Sequence, residues 1–216
     1  MNQSKPFKVI GNRVPKIDAG DRVTGKSVYG HDIELQSMLH GSILRSKYPS
    51  AIIKSIDTSK AEQLPGVECV ITANNVDTHN LNYRTDHPVL KGEEVNCIRD
   101  EVAAVAATSK TIAEKAIKLI DVEYEVRNGI FDPEEALKED APLLNRFNKG
   151  DDKNKNISES FHYEHGNIED EKKKSACIIT RQYTLPKVTP ACMAPSNITA
   201  TYSAIDGQLT LYSSTQ

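Results

Sequence analysis

Glu101-Val-Ala-Ala-Val-Ala106, then Thr111-Ile-Ala-Glu-Lys-Ala-Ile117, then Val122-Glu-Tyr-Glu125: on this stretch the fold turns. The first segment is apolar and small, which reads as a strand fit for tight burial. In the second, Thr111 and Glu114 have capping-box spacing. Ile112, Ala116 and Ile120 lie on one helical stripe, with Ala113 and Ile117 beside it. An alternating strand, Val122–Glu125, follows at once. Working upstream, Val67-Glu-Cys-Val-Ile71 reads as another strand, preceded by a short helix that Ser59 and Glu62 open and Pro65-Gly66 closes. Leu39–Leu44 and Ala51–Ile56 read as two strands joined by the polar turn Ser46-Lys-Tyr-Pro49. Residues 1–30 carry four glycines and two prolines, which predicts an extended arm without a helix.

Downstream, Asp132-Pro133-Glu134-Glu135 combines an N-cap, a first-turn proline and two acids favoured by the helix dipole, so a helix starts near Glu134. The stretch Asn145–Asn156 is rich in Lys, Asp and Asn and reads as linker. Glu169–Lys174 is a charged run expected on a solvated helix face or loop. Ala176–Tyr183, Ile198–Tyr202 and Leu209–Tyr212 read as strands, with a hairpin signal at Asp206-Gly207. Irregular alternation of strands and helices predicts an α+β layered fold. Its expected divisions are a first domain over 1–140, a linker over 141–156, and the opening strands of a second domain over 157–216. The last residues, Ser213-Ser-Thr-Gln216, follow a strand directly, so the chain is expected to be the front piece of a longer one.

With 216 residues, 38% hydrophobic and 26% charged, the chain can bury a core of its own. A net charge of −3 gives no field to recruit nucleic acid, and the polar start Met1–Pro6 has neither signal peptide nor membrane span. A cytoplasmic protein is therefore expected. The four cysteines are scattered, which argues against a zinc or iron–sulfur nest, and Cys69 and Cys177 adjoin apolar residues and are expected as core thiols. His162 and His165 are spaced i, i+3 but lack a third ligand, and paired acids such as Glu93-Glu94 read as surface charge. No phosphate-binding glycine loop and no nucleophile elbow occurs.

Four blocks carry a resemblance. They are Asp18–Tyr29 with Asp32; Leu39–Ser46 with Ala51, Ile56-Asp57 and Leu64-Pro-Gly-Val67; Asp100–Ala107 with Ala113–Ala116, Val122–Glu125 and Asp132–Leu137; and Met193-x-Pro195 with Asp206-Gly207 and Ser213–Gln216. In this order they resemble the amino-terminal part of the molybdopterin-binding large subunit of the xanthine dehydrogenase/aldehyde oxidase family.

The resemblance implies an α/β-hammerhead domain followed by the first strands of a molybdopterin-binding α+β domain. It implies part of a molybdenum hydroxylase that oxidises a purine, N-heterocycle or aldehyde with oxygen from water. Electrons would pass through [2Fe–2S] clusters to FAD. The molybdenum–molybdopterin cofactor would be held mainly by residues outside this chain, and the iron–sulfur clusters and FAD would sit on partner domains or subunits. Its expected partners are the rest of the molybdenum subunit, an iron–sulfur subunit, an FAD subunit and a small-molecule substrate. Nucleic acid and membrane are not among them. The other reading is a non-catalytic assembly module that contacts the iron–sulfur subunit while another chain holds cofactor and base. Gln216 is the one residue to which the resemblance assigns a catalytic and cofactor-binding role. The family's Thr-Gln pair closes a strand beside the molybdenum, and an amide can donate to an oxygen of the metal without adding charge. No residue here is expected to ligate the metal. Two positions depart from the family pattern: Ala194 stands where a glutamate is usual, and Arg99 where a glycine is usual.

Overall fold

The computed structural model describes residues 7, 9–76, 80–81, 87–144, 156–157 and 159–215. The chain divides into two compact units, one of residues 37–178 and one that joins 1–36 to 179–216. The arm therefore groups with the last part of the chain, whereas the sequence reading attached it to the first domain.

The larger unit is built on two antiparallel sheets of three strands. In the first, β7 (Glu101–Ala107) lies between β1 (His40–Arg45) and β3 (Val67–Thr72); in the second, β2 (Ala51–Asp57) lies between β6 (Glu94–Val95) and β8 (Asp121–Val126). A short pairing of β4 (Asn80–Leu81) with β5 (His87–Pro88) stands apart. Although β1 and β2 are consecutive, they belong to different sheets. The turn over Ser46–Pro49 is thus a crossing between sheets rather than a hairpin.

Small side chains let β7 occupy the centre. Val102, Ala103, Val105 and Ala107 are all buried, and the register sets Ala106 opposite Gly41 on one side and Cys69 on the other. Ala103 and Val105 join Ala61, Val70, Ala116 and Ile120 in one core cluster, whereas Val102, on the opposite face, joins Ala51, Ile53 and Val95 in another. Ile56 and Val122, a cross-strand pair of β2 and β8, pack against both clusters. One alanine-rich strand thus feeds two cores.

The helices cover the first cluster. Helix α3 (Lys110–Ala116) buries Ala113 and Ala116, as its apolar stripe predicts, but its cap is Ser109, whose Oγ accepts from the Ile112 N–H at 3.3 Å, rather than Thr111. At α2 (Ser59–Glu62) the side chain of Asp57 accepts the Ser59 N–H at 2.9 Å, and Thr58 donates to Glu62 at 2.6 Å. A box closed by Ser59 alone does not form. Gly66 ends this turn with φ +90°, and a Cβ there would lie 2.7 Å from Ile112 Cδ1. Both the backbone angle and the close approach of α3 require glycine. Helix α4 (Pro133–Ala136) starts as expected, with Asp132 accepting the Glu134 N–H at 2.8 Å. The charged run forms α5 (Ile168–Lys174), capped by Asn167, with three i, i+3 ion pairs and no buried residue.

Three expectations fail for identifiable reasons. Residues Ala19–Thr24 form helix α1, because Arg22 reaches back to Asp18 at 2.7 Å and Gly25, at φ +71°, terminates a turn it was expected to forbid. Ala176–Tyr183 is not a strand; no neighbour pairs with it among the described residues. Cys69 and Cys177 are exposed. Val70 and Thr72 are buried, so the two-residue period turns Cys69 to the opposite face of β3.

A carboxylate fastens the entrance to β7. Asp100 is 4% exposed, and its Oδ2 accepts the N–H groups of Asn96 at 2.8 Å and Cys97 at 3.2 Å. Its carbonyl accepts the Ser46 N–H at 2.9 Å, which binds the end of β1 to the start of β7. Asp100→Ala is expected to lower the urea midpoint by the equivalent of about 2–3 kcal/mol, because two backbone donors lose their acceptor. Asp100→Asn, which keeps one acceptor oxygen, is expected to cost less. Ala103→Leu is expected to cost about 1–3 kcal/mol by overpacking, measured in the same unfolding experiment.

Candidate functional site

Two places in the chain gather polar groups. Within the larger unit, a cleft of about 200 Å³ is lined by His87, Lys91, Asn96, Cys97, Arg99 and Asp100, among others. His87 Nε2 lies 3.9 Å from Glu101 Oε2, and its Nδ1 lies 3.5 Å from Lys91 Nζ. Arg45 donates to Glu101 and to the carbonyl of Arg99. Charges of both signs are mutually engaged here, which is the pattern of a structural corner. Arg99 does not have positive φ, so the backbone at this place does not require glycine.

The second place lies in the smaller unit, at the root of a hairpin. Strands β9 (Ile198–Ser203) and β10 (Gln208–Ser213) pair antiparallel from Ser203↔Gln208 to Ile198↔Ser213. The Thr, Tyr and Leu residues that alternate along them have high strand propensity, and Asp206-Gly207 makes the turn, with Gly207 at φ +71°. The Gly207 N–H donates to the Ser203 carbonyl at 2.9 Å, and the Gln208 N–H to Asp206 Oδ1 at 3.2 Å.

Beyond the last ladder pair the chain is held by both the side chain and the backbone of Ser214. Ser214 Oγ accepts the Asn197 N–H at 2.9 Å and lies 3.3 Å from the carbonyl oxygens of both Pro195 and Asn197. The Ser214 N–H donates to the Asn197 carbonyl at 3.2 Å, and Ser213 Oγ donates to Thr215 Oγ1 at 3.0 Å. The Met193-x-Pro195 block and the Ser213–Thr215 block, far apart in sequence, therefore meet. Ala194 occupies an exposed bend. Gln216 itself lies outside the described residues, as does His79, so the structure brings the chain up to the predicted site residue without describing it. His162 and His165 are both exposed, and no group of three His, Cys, Asp or Glu suited to a metal ion occurs among the described residues. Sequence reasoning overlooked Ser214 and Asn197. A serine one residue past a strand, opposite the residue just before its partner strand, was the available signal.

The donor set at this root fits the edge of a cofactor site rather than a whole one. Ser213, Ser214 and Thr215 are neutral hydroxyls without a carboxylate among them, so they can face electron-rich oxygens without repulsion. Ser214 is engaged by the backbone of Pro195 and Asn197.

The hairpin turn also sets a titration. Asp206 is held below the usual carboxylate range, first by the Ser203 hydroxyl and then by the Gln208 N–H. A carboxylate with a lowered folded pKa stabilises the fold above its unfolded pKa of about 3.9, and that contribution is lost as pH falls through the lowered value. Ser203→Ala is expected to raise the Asp206 pKa toward its ordinary range, as read by NMR titration of the carboxyl carbon. An unchanged titration would assign the shift to something other than the hydroxyl.

Comparison with known proteins agrees with this arrangement. Residues 24–128 match the aldehyde oxidase and xanthine dehydrogenase a/b hammerhead domain, and residues 149–216 match a molybdopterin cofactor-binding domain. The chain is 31% identical to the nicotinate dehydrogenase large molybdopterin subunit of Eubacterium barkeri, over 98% of this chain and 48% of that protein. It is 34% identical to a subunit of a probable xanthine dehydrogenase of Bacillus subtilis (strain 168), over 92% of this chain and 26% of that protein. Reconstituted CO dehydrogenase from Oligotropha carboxidovorans superposes with a TM-score of 0.78 at 31% identity, over 94% of this chain and 27% of that one. The chain thus spans from about a quarter to half the length of these relatives. Two domain matches in this order, on a fold with this hairpin root, mean that the chain belongs to the xanthine dehydrogenase/aldehyde oxidase family, corresponding to the amino-terminal part of its molybdopterin-binding large subunit.

Proposed function

We propose that this chain is part of the molybdenum subunit of a hydroxylase that oxidises a purine, N-heterocycle or aldehyde. Water is the oxygen source, and electrons leave through [2Fe–2S] clusters to FAD on partner subunits. The observation that carries the reading is the order of the two domain matches in one chain, hammerhead at 24–128 and cofactor-binding at 149–216. When bound, the molybdenum–molybdopterin group supplies two-electron oxidation chemistry, so the polypeptide's tasks are to bind, orient and exclude water. No helix among the described residues is long and apolar enough to cross a membrane.

Identity is nearly level, at 31%, 34% and 31%, to proteins named for nicotinate, xanthine and CO. This supports a scaffolding role for the segment, with the choice of substrate made elsewhere in the enzyme. Within the segment, Gln216 is our proposed contact to the cofactor. It follows β10 and the Ser213–Thr215 hydroxyls directly, and its amide is a neutral donor.

The test is to purify the enzyme that contains this chain, assay its molybdenum, and offer nicotinate, xanthine, an aldehyde and CO with a dye acceptor. Stoichiometric molybdenum and turnover of one of the first three are expected. If the cofactor instead copurifies on a separate chain that is active without this one, the assembly-module reading replaces ours. In the active enzyme, Gln216→Ala is expected to lower turnover roughly a hundredfold, the equivalent of about 2–4 kcal/mol for one lost donor at the reacting centre. Molybdenum content should stay near wild type. Wild-type turnover in that variant would make Gln216 a bystander.

A further inference from the structure

Ser214 is the first residue after β10, beyond a strand ladder whose last pair is Ile198↔Ser213. Ordinarily the chains would part there. Instead the Ser214 hydroxyl accepts the Asn197 N–H at 2.9 Å, and the Ser214 N–H donates to the Asn197 carbonyl at 3.2 Å. A side chain thus supplies the acceptor that the ladder no longer provides, and the hydroxyl proton remains to bind Pro195 or Asn197 carbonyl oxygen, each at 3.3 Å.

On the other side, Asn197 is keyed into the arm. Its Oδ1 is buried and has no hydrogen-bond partner among the described residues. A Cβ built on Gly30 would lie 2.1 Å from that oxygen, 3.1 Å from Cγ and 3.9 Å from Cβ. The φ of Gly30 is not positive, so glycine is required here by space rather than by backbone conformation. Gly30 is the notch in which the Asn197 amide sits.

We infer that Ser214 is a positioning residue, clamped to Asn197 and through it to Gly30 of the arm, that holds the end of the hairpin up to Thr215, the residue before the proposed cofactor contact. This rests on the function proposed above. The physical reason is that a donor at a reacting centre acts only when its supports hold it, and a displacement of about 1 Å can cost as much as a hundredfold in rate. An acceptor for a backbone N–H can hold a segment in this way without touching the cofactor itself.

The experiment uses the molybdenum-loaded enzyme and reads the Mo(V) electron paramagnetic resonance spectrum after partial reduction with dithionite, a probe that needs no substrate. Ser214→Ala is expected to change the Mo(V) line shape at undiminished molybdenum content and unchanged melting temperature, and Ser214→Thr, which keeps the hydroxyl, is expected to restore it. Limited proteolysis reads the arm. Gly30→Ala is expected to speed cleavage at Lys26 several-fold and to reproduce the altered spectrum. Gly30→Ala combined with Asn197→Ala is expected to reverse both, because the nearest remaining Asn197 atom, its Cβ at 3.9 Å, leaves room for a methyl group. A wild-type spectrum in loaded Ser214→Ala enzyme would overturn the inference alone. So would parallel loss of molybdenum and melting temperature, which would make Ser214 a purely structural residue. Gly30→Ala without effect on cleavage or spectrum would remove the arm from the clamp. A wild-type enzyme free of molybdenum would overturn the proposed function, and the role of Ser214 with it.

Discussion

The larger unit depends on β7 being buried on both faces. A strand in that position presents alternate side chains to two separate cores, so the residues after Glu101 must be apolar and small enough for the facing layers to pack closely. Val102, Ala103, Val105 and Ala107 meet that demand. Ile56 and Val122 then tie the two clusters together across β2 and β8. Larger residues in β7 would push away the layers packed on its two faces; polar ones would leave a group without water in either core.

Polar contacts do the work of alignment. Asp100 takes two backbone N–H groups and offers its carbonyl to Ser46, which fixes where β7 begins relative to β1. Arg45, bridging Glu101 and the Arg99 carbonyl, repeats that fastening from the surface. Being half exposed, the Arg45–Glu101 pair contributes little stability and chiefly restricts geometry. The hairpin in the smaller unit follows the same logic on a smaller scale, with Ser214 at its root and Asp206 at its tip.

Function follows from this division of labour. A family whose difficult chemistry resides in a cofactor asks its amino-terminal segment for a rigid body and well-placed strand ends. The hammerhead unit is the rigid body. The β9–β10 hairpin, with its neutral hydroxyls at the root, is one strand end, and Gln216 is the proposed cofactor contact that follows it in sequence.

Local and periodic features were legible in the sequence. The Ala-Val run of β7, the apolar stripe of α3, the Asp132-Pro133 start of α4 and the Asp206-Gly207 turn depend on neighbours a few residues away, and each formed where its pattern put it. The four blocks were also enough to identify the family. Features that depend on distant partners were not legible. Whether Ala176–Tyr183 is a strand depends on a pairing partner, and whether Cys69 is buried depends on which face of β3 meets the core. That consecutive β1 and β2 enter different sheets follows from where β7 and β8 sit, not from the turn between them. The clamp of Ser214 on Asn197, and the fit of Asn197 into Gly30, join residues 17 and 167 positions apart. Hydrogen bonds and close packing between such residues have no period and no local propensity, so only the folded chain could bring them together.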